Sequence, residues 1–147
     1  MSKTSETKVS SVSPAVIGPE NKRNLYASQP AAGFPAPGDD LVEKALDLND
    51  LLIDNPTATF FVRVSGDSME DAKIFAGDIL VIDRSVEPKS GMIVVAAVYG
   101  ELVVKILQKT NSGLALISAS ENYEPILIND EEGCFIWGVV VGSARVF

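Results

Sequence analysis

The chain has 147 residues, 46% of them apolar, with a mean hydropathy of +0.20 and a formal charge of −8. That is the length of one domain with its own core and room for an arm, and no apolar run reaches the ~18 residues of a membrane span. With no histidine and one cysteine, Cys134, the chain cannot build a Ser-His-Asp or Cys-His centre, an internal disulfide or an ordinary zinc site.

Residues 1–38 form the first unit, an arm with four basic and two acidic residues. Its first thirty residues are rich in Ser, Thr, Lys and Pro and have no hydrophobic period, so the expectation is disorder. The polar first twenty residues hold no secretory h-region; with the lone cysteine this points to a cytoplasmic protein. Gln29 to Gly38 carries three prolines, which hold the backbone extended. That stretch reads either as a plain linker or as a segment that a protease cleft could accept.

Residues 39–147 form the body, with eight basic and eighteen acidic residues. So acidic a surface is a poor match for duplex DNA, whose phosphates are bound by Lys and Arg. Asp39 to Ile53 reads as a short helix, then a turn or second helical piece: Asp40 caps the start, Glu43 completes a capping box, and Leu41, Ala45, Leu48 and Leu52 share a face. Short strands then follow one another, over Thr59–Ser65, Ile79–Asp83, Met92–Val98, Glu101–Leu107, Leu114–Ser118, Pro125–Ile128, Cys134–Val141 and Ala144–Phe147. Met69–Ile74 reads as a helical turn, and Tyr99-Gly100 as a two-residue hairpin loop. Strands at this spacing with glycine turns make a small, mainly β body.

Two residues stand out against that background. Ser68 follows the bend at Gly66, where its hydroxyl can face a cleft. It is also the kind of residue that turns use routinely. Lys105 lies in the apolar strand Glu101–Leu107, with Val103 and Leu107 on its own face. Such a lysine either snorkels to a sheet edge or is buried, where the charged form is disfavoured and the amine can serve as a base. In a chain without histidine, Ser68 and Lys105 are the main nucleophile and base available. Asp67 is a surface turn residue or a cap. The backbone N–H groups of Asp67 and Ser68 are placed to donate to a developing oxyanion.

Ser65-Gly66-Asp67-Ser68-Met69, then Gly77-Asp78 with Val81 and Asp83, then Val104-Lys105 on the return strand of a hairpin, resemble the self-cleaving LexA/UmuD serine–lysine peptidase family. The spacing of 37 residues from Ser68 to Lys105, and of 35 from Gly33 to Ser68, suits that family. Gly33-Phe34-Pro35, Asp47 to Ile53 and Ala96 to Glu101 place the likeness on the UmuD branch, because the arm cannot hold the DNA-binding domain of the repressors. The resemblance implies a compact, bent β body with a short N-terminal helix and a disordered arm, working as a homodimer. It implies Ser68 as nucleophile, Lys105 as general base, the N–H groups of Asp67 and Ser68 as oxyanion hole, and Ala32-Gly33 as the bond cut. Further implications are stimulation by the RecA–single-stranded DNA filament in the SOS response and a product that joins UmuC in the lesion-bypass DNA polymerase V. The sliding clamp is a further replicative partner, and no cofactor is implied. Val103 stands where the family often has threonine. Ser118 and Ser120 stand where relatives usually have proline and asparagine. These departures bear on the rate of cleavage. Two alternatives follow: a catalytically weak, dimeric partner-binding module, and a LexA-like transcriptional regulator.

Overall fold

The computed structural model describes residues 5–16, 18, 22–26 and 42–147. The described residues form ten strands: β1 (Lys8–Pro14), β2 (Lys22–Tyr26), β3 (Val42–Asp47), β4 (Thr59–Ser65), β5 (Ile79–Asp83), β6 (Ile93–Val98), β7 (Glu101–Thr110), β8 (Gly113–Ile117), β9 (Ile126–Leu127) and β10 (Cys134–Ala144). The one α-helix among them, α1, is Leu48–Leu52.

β2 and β3 pair with each other alone. The other eight strands form one antiparallel sheet in the order β1-β4-β5-β10-β6-β7-β8-β9. β1 also touches β7, with Lys8 opposite Val103. The sheet therefore curls until β1 bridges its two sides, giving a barrel-like ring of β1, β4, β5, β10, β6 and β7. The long strand β10 serves two neighbours in turn, β6 with its first half and β5 with its second. A register shift falls in each half, and such bulges bend a strand and increase its twist.

Side-chain alternation explains where the core sits. Along β4, Val62 and Val64 are buried while Arg63 and Ser65 are exposed, so one face points inward. Val62, Val64, Met69, Ile74, Leu80, Ile82, Val95 and Val104 make one cluster. Val94, Ala96, Val103, Leu107, Leu116 and Val139 make a second, using the opposite faces of β6 and β7. β7 thus has apolar packing on both sides, which is why it reads as an unbroken apolar run.

The mainly β body is as expected, and β4 and β5 have the expected bounds. Three local expectations are corrected. Residues 8–14 and 22–26, both expected to be disordered, form β1 along β4 and β2 along β3. Most of the β1 side chains are polar, with Val9 packed against the first core cluster, and the backbone edges of β4 and β7 supply partners that local composition does not report. The helix expected over residues 39–53 is confined to Leu48–Leu52, where Asp47 caps it by accepting from the Asn49 N–H at 2.9 Å. Residues 42–47 instead pair with β2, a case of tertiary pairing overriding helix propensity. No separate terminal strand forms, because β10 continues to Ala144 by pairing with Ile79. The capping residue expected at Asp40 lies outside the described residues.

Candidate active site

Ser68 is placed by the end of β4. After Ser65 the chain bends at Gly66, whose φ is +86°, a value that L-residues rarely adopt. The fully buried Met69 inserts into the first core cluster and anchors the loop just beyond the serine. A short 3-10 turn, Glu70–Ala72, follows. The loop is closed at its base by the Val64 N–H donating to the Asp78 carbonyl at 3.1 Å and the Gly77 N–H donating to the Val64 carbonyl at 2.8 Å. The Asp78 carboxylate is buried. It accepts from the Phe75 N–H at 2.9 Å and from the Arg145 guanidinium at 2.7 and 2.9 Å. Arg145 holds the Asp78 carboxyl below its ordinary pKa. Asp78 is therefore a structural brace of this loop.

Lys105 sits mid-strand in β7 and is 1% exposed. It pairs with Val94 of β6, and Val103 and Leu107 on its own face belong to the second cluster. The side chain does not snorkel. Its Nζ donates to the Ser118 Oγ at 2.8 Å, forms an ion pair with the Glu6 Oε1 at 2.6 Å, and lies 5.0 Å from the centroid of the Tyr123 ring. Ser118 arrives there through the β7–β8 hairpin. Thr110 faces Gly113 and Ile106 faces Ile117, and one step further brings Ser118 beside Lys105.

Ser68 and Lys105 meet the same short piece of backbone. The carbonyl of Ser5 accepts from the N–H groups of Asp67 and Ser68, both at 2.9 Å. The Ser5 N–H donates to the Asp67 Oδ1 at 2.5 Å. The Thr7 N–H donates to the Ser68 Oγ at 2.8 Å, and Ser68 donates onward to the Thr7 Oγ1 at 3.2 Å. Between them, Glu6 reaches Lys105, and the Thr7 carbonyl accepts from the Val104 N–H at 3.0 Å. Ser68 is 1% exposed, covered by this segment. The structure thus brings together Ser68, Lys105 and both expected oxyanion donors. Ser68 and Lys105 do not hydrogen-bond each other in this arrangement, because each is engaged by residues 5–7 or by Ser118. Ala32 and Gly33 lie outside the described residues.

Sequence reasoning gave no role to Glu6, Thr7 or Tyr123, and marked Ser118 only as a departure from the family pattern. Ser118 was within reach of it, since the register of a hairpin turning at Asn111-Ser112 pairs Ser118 with Lys105. Glu6 and Thr7 carry no local signal, because they meet the site across more than sixty residues of chain. Among the described residues no three His, Cys, Asp or Glu converge as a metal would require, and no helix is long and apolar enough to cross a membrane.

The peptidase S24-like family matches residues 24–141. The chain belongs to this family. It is 42% identical over 119 residues to protein ImpA of Salmonella typhimurium, covering 80% of each chain. With protein MucA of Escherichia coli it shares 40% identity over 120 residues, covering 81% of this chain and 82% of MucA. Likeness to the LexA repressor of Hahella chejuensis is 35% over 127 residues, 86% of this chain and 63% of the repressor. The expected place in the LexA/UmuD self-cleaving family, on its UmuD-like SOS branch, is borne out. So is the class of activity, that of an S24 serine peptidase acting on its own chain.

Proposed function

We propose that Ser68 and Lys105 form the catalytic dyad of this S24 peptidase and that the bond cut is Ala32-Gly33. One observation carries the reading: a backbone carbonyl, that of Ser5, accepts from the N–H groups of Asp67 and Ser68 at 2.9 Å, beside a serine and a lysine that are each 1% exposed. Two such donors meet the geometric requirement for stabilising a tetrahedral oxyanion.

With Ala32-Gly33 seated in the cleft, Lys105 as the free amine takes the Ser68 proton while the Ser68 Oγ bonds to the Ala32 carbonyl carbon. Charge moves onto the carbonyl oxygen, held by the two N–H groups. The intermediate collapses with loss of the Gly33 nitrogen, which takes the proton back from Lys105. An ester between Ser68 and Ala32 remains, and water hydrolyses it by the same proton route. Ser118 orients the amine through its hydroxyl. The apolar walls formed by Val103 and Leu107 limit water around the amine.

The reading continues to a cytoplasmic homodimer whose cleavage is promoted by RecA filaments on single-stranded DNA. In it the shortened product, Gly33 to Phe147, joins UmuC in a lesion-bypass polymerase, with the sliding clamp as a further partner. The filament's part is a population shift toward the state in which the cleavage segment occupies the cleft. The test is mass spectrometry of wild type, Ser68→Ala and Lys105→Ala after incubation with activated RecA. Loss of residues 1–32 in wild type alone is expected. An intact wild type, or cutting of Ser68→Ala, refutes the dyad. Val103 favours a second reading, a partner-binding module that cleaves poorly, because it offers the amine no hydroxyl where relatives often have threonine. An intact wild type that still binds UmuC would select it.

A further inference from the structure

The cleft of this protein is occupied by its own residues 5–8. We propose that this segment is a built-in competitor of the substrate, with the Glu6 carboxylate capping Lys105, and that it must withdraw before a scissile bond can be seated. The inference rests on the assignment of Ser68 and Lys105 made above.

Every feature that a substrate needs is engaged by the segment. The N–H groups of Asp67 and Ser68 hold the Ser5 carbonyl and cannot hold a second one. The Ser68 hydroxyl accepts from the Thr7 N–H and donates its own proton to the Thr7 Oγ1, so that proton is not offered to the amine. The amine donates to Glu6 and to Ser118, and an ammonium so engaged has no lone pair to accept the serine proton. The sheet edges are closed as well. β1 runs along β4 from Lys8 opposite Ser65 to Pro14 opposite Phe60, and Lys8 also faces Val103 of β7. An extended substrate would need one of those two edges.

The segment is an occupant and not a substrate because of Glu6. The residue following the seated carbonyl places a carboxylate on the base that cleavage would require. The Glu6 side chain is 27% exposed and that of Lys105 1%, so the pair is largely shielded from solvent and salt. Backbone fit supports the same conclusion. A Cβ on Gly66 would strike the Glu6 carbonyl oxygen and lie 2.7 Å from the Glu6 carbonyl carbon, so the bend before Ser68 is shaped to the segment as it lies.

The test compares full-length wild type, Glu6→Gln and Glu6→Lys by two readouts. Hydrogen exchange followed by mass spectrometry reports whether residues 5–9 are protected. The mass of any product formed without RecA reports cleavage, with activated RecA added to wild type as the reference. Glu6→Gln keeps an acceptor oxygen but removes the carboxylate charge that Lys105 pairs with, which weakens the closed state roughly tenfold. Exchange of residues 5–9 should therefore quicken by about that factor in Glu6→Gln, and further in Glu6→Lys, where two ammonium groups would face each other. The product beginning at Gly33 should appear roughly tenfold faster. If that product never forms in any variant while exchange quickens as expected, the occupancy stands and the cleavage assignment falls. Unchanged protection in both variants overturns the proposal. Faster exchange with slower cleavage also overturns it, and so does a cut after Ser5, which would make the segment a substrate.

Discussion

Gly66 and Gly77 provide a controlled pair for measuring how tightly the N-terminal segment is held. Their φ values are +86° and +90°, so an alanine at either meets the same backbone strain, about 1–2 kcal/mol. Their surroundings differ. A Cβ at Gly77 meets nothing within 4 Å, whereas at Gly66 it meets the Glu6 carbonyl carbon at 2.7 Å and the Ser5 carbonyl oxygen at 3.0 Å. Those neighbours are backbone, so no side-chain rotation relieves the overlap. Relief requires the segment to move, which breaks the two hydrogen bonds to the Ser5 carbonyl at about 0.5–1.5 kcal/mol each. Gly77→Ala should thus cost about 1–2 kcal/mol, and Gly66→Ala a further 1–3 kcal/mol or so. At roughly 2–4 °C per kcal/mol for a chain of this length, the extra loss at Gly66 is roughly 2–12 °C in Tm. Thermal unfolding of the two full-length variants measures it, and hydrogen exchange should show residues 5–9 deprotected in Gly66→Ala alone. Equal losses in Tm with equal protection would refute the view that the segment, and not the turn, sets the requirement for glycine at position 66.

Other outcomes are expected. Ser118→Ala should slow self-cleavage roughly 10- to 100-fold, the worth of a hydrogen bond to a charged group, while Ser118→Thr, which keeps the hydroxyl, restores the rate; product mass over time reads both. Met69→Ala should cost about 2–5 kcal/mol as a cavity in the core, measured by urea unfolding, and a loss well under 1 kcal/mol would show that Met69 does not anchor the loop. Acid should destabilise the fold through Asp78 and Asp83. Arg145 lowers the pKa of Asp78. For Asp83 burial acts upward, but the hydrogen bonds from Asn55, Ser85 and Val86 outweigh it. Both carboxyls have folded pKa values below the unfolded one, so their stabilisation is complete above pH about 4 and lost as pH falls through the folded values. Arg145→Gln should flatten that acid limb in denaturant titrations across pH about 2 to 5.

Local chemistry was enough to locate much of this protein. The absence of histidine, the glycine bend before Ser68 and a lysine in an apolar strand single out the proposed nucleophile and base without coordinates. Alternation and glycine turns mark out β4, β5 and the β6–β7 hairpin, because those signals depend on neighbours in the chain. The fate of residues 5–14 and of 42–47 was not legible, since a strand that pairs through its backbone needs no apolar side chains and its partner edge lies far away in sequence. The same holds for the cap on Lys105. A carboxylate at position 6 is one charge among many on an acidic chain until folding removes water from around the amine and sets that oxygen 2.6 Å away. Residue types determined which groups could react, and only the closing of the sheet through β1 decided which of them are engaged at rest.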